Sequence, residues 1–293
     1  MKNIKYLIVL WLIPVALAAK VNVVASTSDL AFFARQIGGE YVETSFIGSP
    51  TSDIHAVEVR PSYMIKVAKA DIVLKVGLTL ELWLDPIIDG SRNNHLLVVD
   101  CSKYVQKLEV PSFKADARYG DLHPYGNPHY WLSPSNAKPI TDAIIEGLSK
   151  VDPEHASQFA SNQEKFLKEI SIDIEKLQPK LAKLKGTQIV FYHNSWPYFN
   201  EFAGTAAAAF VEPFPGVAPS PAQVKKLIDL ITTSKIKVIA MEPYFDKRVP
   251  EKIALETGAK VATLYPSIGG RNKDETYGQW LESNVDAILE ALQ

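Results

Sequence analysis

His55, His129 and His193 stand far apart in the chain, each framed by prolines, aromatics or small polar residues. Neutral imidazole is the commonest protein ligand for transition metals. A metal site assembled by a fold, rather than by a local finger, draws its ligands from distant segments. The middle histidine lies in Asn127-Pro128-His129-Tyr130-Trp131-Leu132-Ser133-Pro134. Its flanking prolines fix φ and restrict the residues before them, so His129 is expected on a stiff loop. Such rigidity suits a metal, whose geometry tolerates little ligand movement. His55 sits in Ser52-Asp53-Ile54-His55-Ala56-Val57-Glu58, after an expected strand, and His193 directly follows another. Ligands collect at strand ends of this kind in open α/β sheets. On the residues alone, the other reading is three unrelated loop histidines that cap helices or bond backbone.

Three further histidines complete the set. His123, in Asp121-Leu122-His123-Pro124-Tyr125-Gly126, leads into the His129 motif. It is a candidate fourth ligand, a candidate for orienting a ligand, or a metal-capture group at the rim. His95 and His155 read as structural or solvated, as many histidines are. Other chemistry is thinly signalled. The chain has no G-x-S-x-G elbow, no Walker loop and no helical H-E-x-x-H. Three histidines plus water also make a catalytic zinc site, so a zinc-dependent hydrolase is an alternative function, although the sequence offers no persuasive general base beside them. A metal-binding adhesion module of the same fold is a second alternative.

The elements that would position these residues alternate. Strands are expected at 21–24, 41–47, 71–76 and 96–99, with helices over 29–37, ending at Gly38-Gly39, and over 61–69, opened by Pro61. From 153 to about 185 the apolar residues Phe159, Phe166, Ile170, Ile174, Leu177, Leu181 and Leu184 recur at helical spacing, which predicts one long amphipathic helix. Pro179 is expected to kink or break its last turns. Beyond Gly186 the alternation resumes. Strands are expected at 188–192, 207–211, 238–241 and 260–264, and helices at 220–234, 247–257 and 277–292, with Ser220 as an N-cap and Gly258 as a C-cap. The fold class is therefore α/β: two lobes with mainly parallel sheets covered by helices, joined by one long helix. The expected division is 1–18 as a signal peptide, 19–150 and 186–293 as the lobes, and 151–185 as the connecting helix.

Composition agrees with such a chain. It has 293 residues, 47% of them hydrophobic, enough for a large core. The net charge of −2 argues against nucleic acid as a partner. Lys2 and Lys5 precede an apolar run from Tyr6 to Leu17, and Ala16-Leu17-Ala18 is a small-x-small cleavage site, so secretion is expected. The run is short for a membrane span, which needs about 20 residues. Cleavage would remove both lysines and take the charge to about −4. The single cysteine, Cys101, cannot form an internal disulfide and is expected to pack as a small apolar residue. It does not follow the cleavage site, so a lipid anchor is not expected. Secretion without disulfides is compatible with a bacterial periplasm.

With these motifs in view, the chain resembles the zinc/manganese-type metal-binding solute receptors of ABC importers over nearly its whole mature length. The resemblance rests on Asp53-Ile54-His55-Ala56-Val57-Glu58-Val59, on Asn127-Pro128-His129-Tyr130-Trp131-Leu132 and on Tyr192-His193-Asn194-Ser195-Trp196-Pro197-Tyr198-Phe199. The stretches Val211–Ser220, Met241-Glu242-Pro243 and Glu256–Val261 add to it. The order and spacing of these motifs carry the likeness. It implies that His55, His129 and His193 hold one metal ion between two lobes and that the protein delivers it to an inner-membrane ABC permease. The family often adds a carboxylate in a Leu-Asp-Pro-like segment, where this chain has Leu264-Tyr265-Pro266-Ser267. A neutral phenol is a poor zinc ligand. Water, Tyr265 or a carboxylate such as Glu242 then competes for the fourth position. A nitrogen-rich set favours Zn2+ over Mn2+ or Fe2+ as the cargo. The acidic, His-rich insertion of some zinc receptors is missing between Pro111 and His129.

Overall fold

The computed structural model describes residues 20–112 and 123–293. The expected signal segment, with its cleavage site, lies outside them. The first lobe runs β1 (Val21–Thr27), α1 (Ser28–Gly38), β2 (Val42–Gly48), α2 (Pro61–Ala68), β3 (Ile72–Lys75), α3 (Leu84–Ser91), β4 (Leu97–Asp100) and α4 (Ala137–Val151). After α5 (Ala156–Leu184) the second lobe runs β5 (Gln188–Phe191), α6 (Pro197–Ala203), β6 (Ala206–Phe210), α7 (Pro221–Ser234), β7 (Val238–Met241), α8 (Arg248–Thr257), β8 (Lys260–Thr263) and α9 (Tyr277–Leu292).

Each lobe holds one four-stranded sheet, in the orders β2-β1-β3-β4 and β6-β5-β7-β8, and every strand pair is parallel. The two sheets thus repeat one topology. Their central strands are apolar and β-branched because helices cover both faces, leaving no solvated side to alternate toward. Val23, Val24, Ile72, Val73, Ile189, Val190, Val238 and Ile239 are all fully enclosed. The helices are begun and ended by local chemistry. Ser220 accepts from the Gln223 amide at the head of α7, Gly258 closes α8 in a left-handed conformation (φ 75°), and Thr276 and Gln279 form a reciprocal capping box on α9.

Helix α5 is 29 residues long, roughly 44 Å at 1.5 Å per residue. The helix continues through Pro179, so of the expected kink or break the break does not occur. Pro179 and Glu175, whose carbonyl loses its partner, both lie on the exposed face, where water can satisfy the carbonyl, while Leu177, Leu181 and Leu184 stay buried on the other. Helices α3, α4 and α6 go beyond the sequence expectation. Each carries a proline in its first turn (Pro86, Pro139, Pro197), where the missing N–H has no helical partner to lose. Cys101 is free and fully buried, and burial pushes its thiol well up.

The lobes touch through more than α5. Ser28 Oγ donates to the Ile268 carbonyl (2.9 Å), and the Ile268 amide donates to Asp29 Oδ1 (2.8 Å). Trp131 Nε1 donates to the Pro266 carbonyl (2.8 Å), and the Tyr277 hydroxyl donates to the Trp131 carbonyl (3.1 Å). No described helix is long and apolar enough to cross a membrane.

Candidate metal centre

The loop after β2 carries His55, the stretch between β4 and α4 carries His129, and His193 stands two residues beyond β5. His55 and His193 thus follow the carboxyl ends of parallel strands, His129 comes from the segment leading into α4, and the three meet in the crevice between the lobes. One ring nitrogen from each lies within 4.8 Å of the other two. Ring centroids are 5.1 Å apart for His55 and His129, 5.2 Å for His55 and His193, and 5.8 Å for His129 and His193. His129 is 2% exposed and His193 6%.

Each ring is oriented from behind. Asp53 Oδ1 lies 2.9 Å from both the backbone amide and Nδ1 of His55. Asn127 Oδ1 does the same for His129, at 3.0 Å to each. Glu212 Oε2 lies 2.8 Å from Nδ1 of His193. An oxygen acceptor at Nδ1 places the proton there and leaves the Nε2 lone pair free. The Asn127 amide is itself fixed, since its Nδ2 donates to Glu109 Oε2 (3.1 Å) and to the Asn194 carbonyl (2.8 Å). Nε2 of His55 is enclosed and has no hydrogen-bond partner. Such outer oxygens fix tautomer and ring orientation in metal sites and raise ligand basicity.

Electrostatics separate the three. Burial, helped by the charges of His55, His193 and His123, drives the His129 pKa well down. Burial also works to lower that of His193, but the Glu212 hydrogen bond and the charges of Glu242, Glu212 and Asp53 outweigh it, so His193 is raised. Burial works to raise Asp53, and its hydrogen bond to His55 and the charges of His55 and His193 hold it down instead. A divalent cation here would meet neutral imidazoles on one side and negative charge behind His55 and His193.

The other sequence candidates fall in different places. His123 stands beside the cluster, its ring centroid 5.3 Å from that of His55. Glu242, at the end of β7, is fully buried; its Oε1 accepts from Ser195 Oγ (2.9 Å) and Trp196 Nε1 (2.8 Å), while Oε2 has no partner. Burial raises this carboxyl to about 7, against the lowering effects of His193, Trp196 and Ser195. Tyr265 lines a surface pocket with Lys260, Arg271 and Glu290. Its backbone, rather than its phenol, is tied down, by Trp280 Nε1 and the Asn284 amide. His95 is exposed, and His155 stacks on Tyr41 at 3.9 Å with its Nδ1 on Asp152, a structural role. The supporting oxygens were not singled out from sequence. A signal for two of them was present: Asp53 and Asn127 each stand two residues before a site histidine. Glu212 is 19 residues from His193, and only its place at the end of β6 hints at a role.

Over residues 23–291 the chain matches the family described as "ZnuA: Zinc-uptake complex component A periplasmic". It is 26% identical over 277 residues to the iron-binding protein YfeA of Yersinia pestis, covering 92% of this chain and 86% of that one. It is 24% identical over 276 residues to the manganese-binding lipoprotein MntA of Halalkalibacterium halodurans, covering 92% and 88%. A crystal structure of ZnuA superposes with a TM-score of 0.78 at 24% identity, covering 93% of this chain and 98% of that one. The chain belongs to this family of periplasmic or surface solute receptors: it is a metal-binding substrate-binding protein of an ABC importer, with a metal ion as cargo and a permease as partner, and not an enzyme.

Proposed function

We propose that this receptor captures Zn2+ outside the inner membrane through Nε2 of His55, His129 and His193 and hands it to its permease. The observation that carries the reading is the meeting of three imidazoles from three separate loops, each with an oxygen behind Nδ1. Zinc is favoured because an all-nitrogen set ranks it above Mn2+ and Fe2+ in the usual affinity order. Copper should bind tightly in vitro on the same grounds without being the cargo. The periplasm is the proposed location, reached by cleavage after the leader at 1–18. The working division is residues 19–150 and 186–293 as lobes, with 151–185 between them. Binding consumes neutral imidazoles, so protons compete with the ion.

Competitive titration of metal-stripped protein with Zn2+, Mn2+ and Fe2+ tests the assignment. Zn2+ is expected to bind most tightly of the three, and alanine at any of the three histidines to weaken it by at least about a hundredfold, more than the loss of a merely supporting group. Equal or tighter Mn2+ binding would reject zinc, and an alanine variant of wild-type affinity would remove that histidine from the site.

A further inference from the structure

The geometry points to His123 as a fourth imidazole on the captured ion, one that closes a tetrahedral all-nitrogen shell and biases the receptor toward Zn2+ and against Mn2+. This rests on the three-histidine reading above and adds the position it leaves open. Two imidazoles on one tetrahedral zinc, with Zn–N near 2.0–2.1 Å, have ring centroids about 5.2 Å apart. The His123 ring stands 5.3 Å from His55, at that spacing, and 6.4 Å from His129, roughly an ångström beyond it. The nitrogens that already lie within 4.8 Å of one another are those of His55, His129 and His193, so the His123 ring has to move inward to join them.

Two independent observations aim this side chain inward. Nε2 of His123 is enclosed and has no hydrogen-bond partner, as is Nε2 of His55. Its other nitrogen, Nδ1, lies 3.3 Å from Thr79 Oγ1. Thr79 ends a run of three residues with positive φ: Gly77 (79°), Leu78 (53°) and Thr79 (67°). Leu78 and Thr79 pay a steric cost there that only surrounding structure can hold in place. The buried Glu81 carboxylate supplies that hold by accepting from the amides of Val76 and Gly77 (3.0 Å to the latter) and from Ser26 Oγ (2.7 Å). The strained turn thus presents a hydroxyl behind His123, as Asp53, Asn127 and Glu212 present oxygens behind the other three rings. Glu242 is the competitor, because its Oε2 is also enclosed without a partner while its Oε1 accepts from Ser195 and Trp196.

Cobalt separates the cases, since its visible absorption is strong in four-coordinate nitrogen sites and weakens as water enters. The full mature chain, stripped of metal, would be loaded with Co2+ as wild type, His123→Ala, His123→Gln and Glu242→Gln, with Zn2+ and Mn2+ affinities measured by competition. Matched thermal melts without metal establish that each variant is folded. Both His123 variants are expected to weaken and shift the Co2+ absorption and to lower Zn2+ affinity at least about tenfold, while Mn2+ affinity moves less than about threefold. Wild-type cobalt spectra and zinc affinity in both His123 variants would overturn the proposal and leave the three-histidine reading intact. A spectrum altered by Glu242→Gln alone would overturn it in favour of that carboxylate. Intact zinc binding in His55→Ala, run in parallel, would overturn both readings together.

Discussion

In the first lobe each site histidine is steadied from two residues away; in the second, His193 is steadied from 19 residues away. The lobes share a sheet topology, so the contrast can be placed. The loop after the second strand, β2, supplies His55 itself. The end of the corresponding strand in the other lobe, β6, supplies Glu212, the carboxylate behind His193. One frame therefore yields a local clamp in one half and a long-range one in the other. The local clamp is a chain-geometry device: an Asx oxygen two residues before a histidine reaches its amide and its ring together. The long-range clamp exists only when β5 and β6 are paired and, unlike Asn127, it carries charge. The first lobe can hold its rings through local geometry, whereas the second depends on its whole sheet edge.

The sharpest break in this comparison is Glu212→Ala, expected to weaken zinc binding by about tenfold to a hundredfold, read by competition with a chelating dye. Its pH dependence is equally telling. His193 is raised because the Glu212 hydrogen bond, with the charges of Glu242, Glu212 and Asp53, outweighs burial, so it keeps its proton to higher pH than an ordinary histidine, and zinc affinity should fall as pH drops through that range. Glu212→Gln keeps an acceptor but removes the charge. Its deficit at pH 7.5 is therefore expected to narrow at pH 6, and a deficit that widens would show that orientation, rather than charge, is what Glu212 supplies.

Asn127→Ala comes next, at about tenfold or slightly more, because it removes both the His129 clamp and the bond to the Asn194 carbonyl across the cleft. Asp53→Ala should cost about tenfold, and Asp53→Asn less than about threefold, since the amide oxygen can still reach the ring. If Asp53→Asn is as damaging as the alanine variant, the clamp at His55 is electrostatic and the two lobes are more alike than their geometry indicates.

The smallest effects concern how α5 is tied to each lobe. Asn162 Nδ2 donates to the Ile37 carbonyl (2.8 Å) on the first side, while Lys180 bridges Glu282 and Asp286 on the second. Asn162→Ala should cost about 1 kcal/mol in chemical denaturation, independent of salt. Lys180→Ala should cost less than about 1 kcal/mol, and its effect should vanish at high ionic strength.

What could be read from sequence follows the same divide between local and distant causes. Strands β1, β3, β5 and β7 and helix α9 were legible because buried apolar runs and caps are written in adjacent residues. The three histidines were legible because prolines and strand ends frame them. Helices α3, α4 and α6 were missed, since a proline in a first turn looks like a break unless the turn it opens is known. The helix runs on past Pro179 rather than breaking because Leu181 and Leu184 beyond it stay buried, through contacts that sequence spacing alone does not weigh. Glu212 was not singled out because the link to His193 is made by strand pairing, and the tie of the Tyr265 backbone to Trp280 and Asn284 on α9 is likewise a contact between distant residues.

Helix α5 has one more consequence. Its buried face belongs to a single apolar cluster that contains Val23, Phe33 and Trp131 on one side and Phe191, Leu264 and Trp280 on the other. Neither sheet can melt without stripping the cover from its neighbour. Thermodynamically the chain is then one cooperative unit rather than two modules on a tether, and calorimetry of the empty protein should show a single transition whose van't Hoff and calorimetric enthalpies agree.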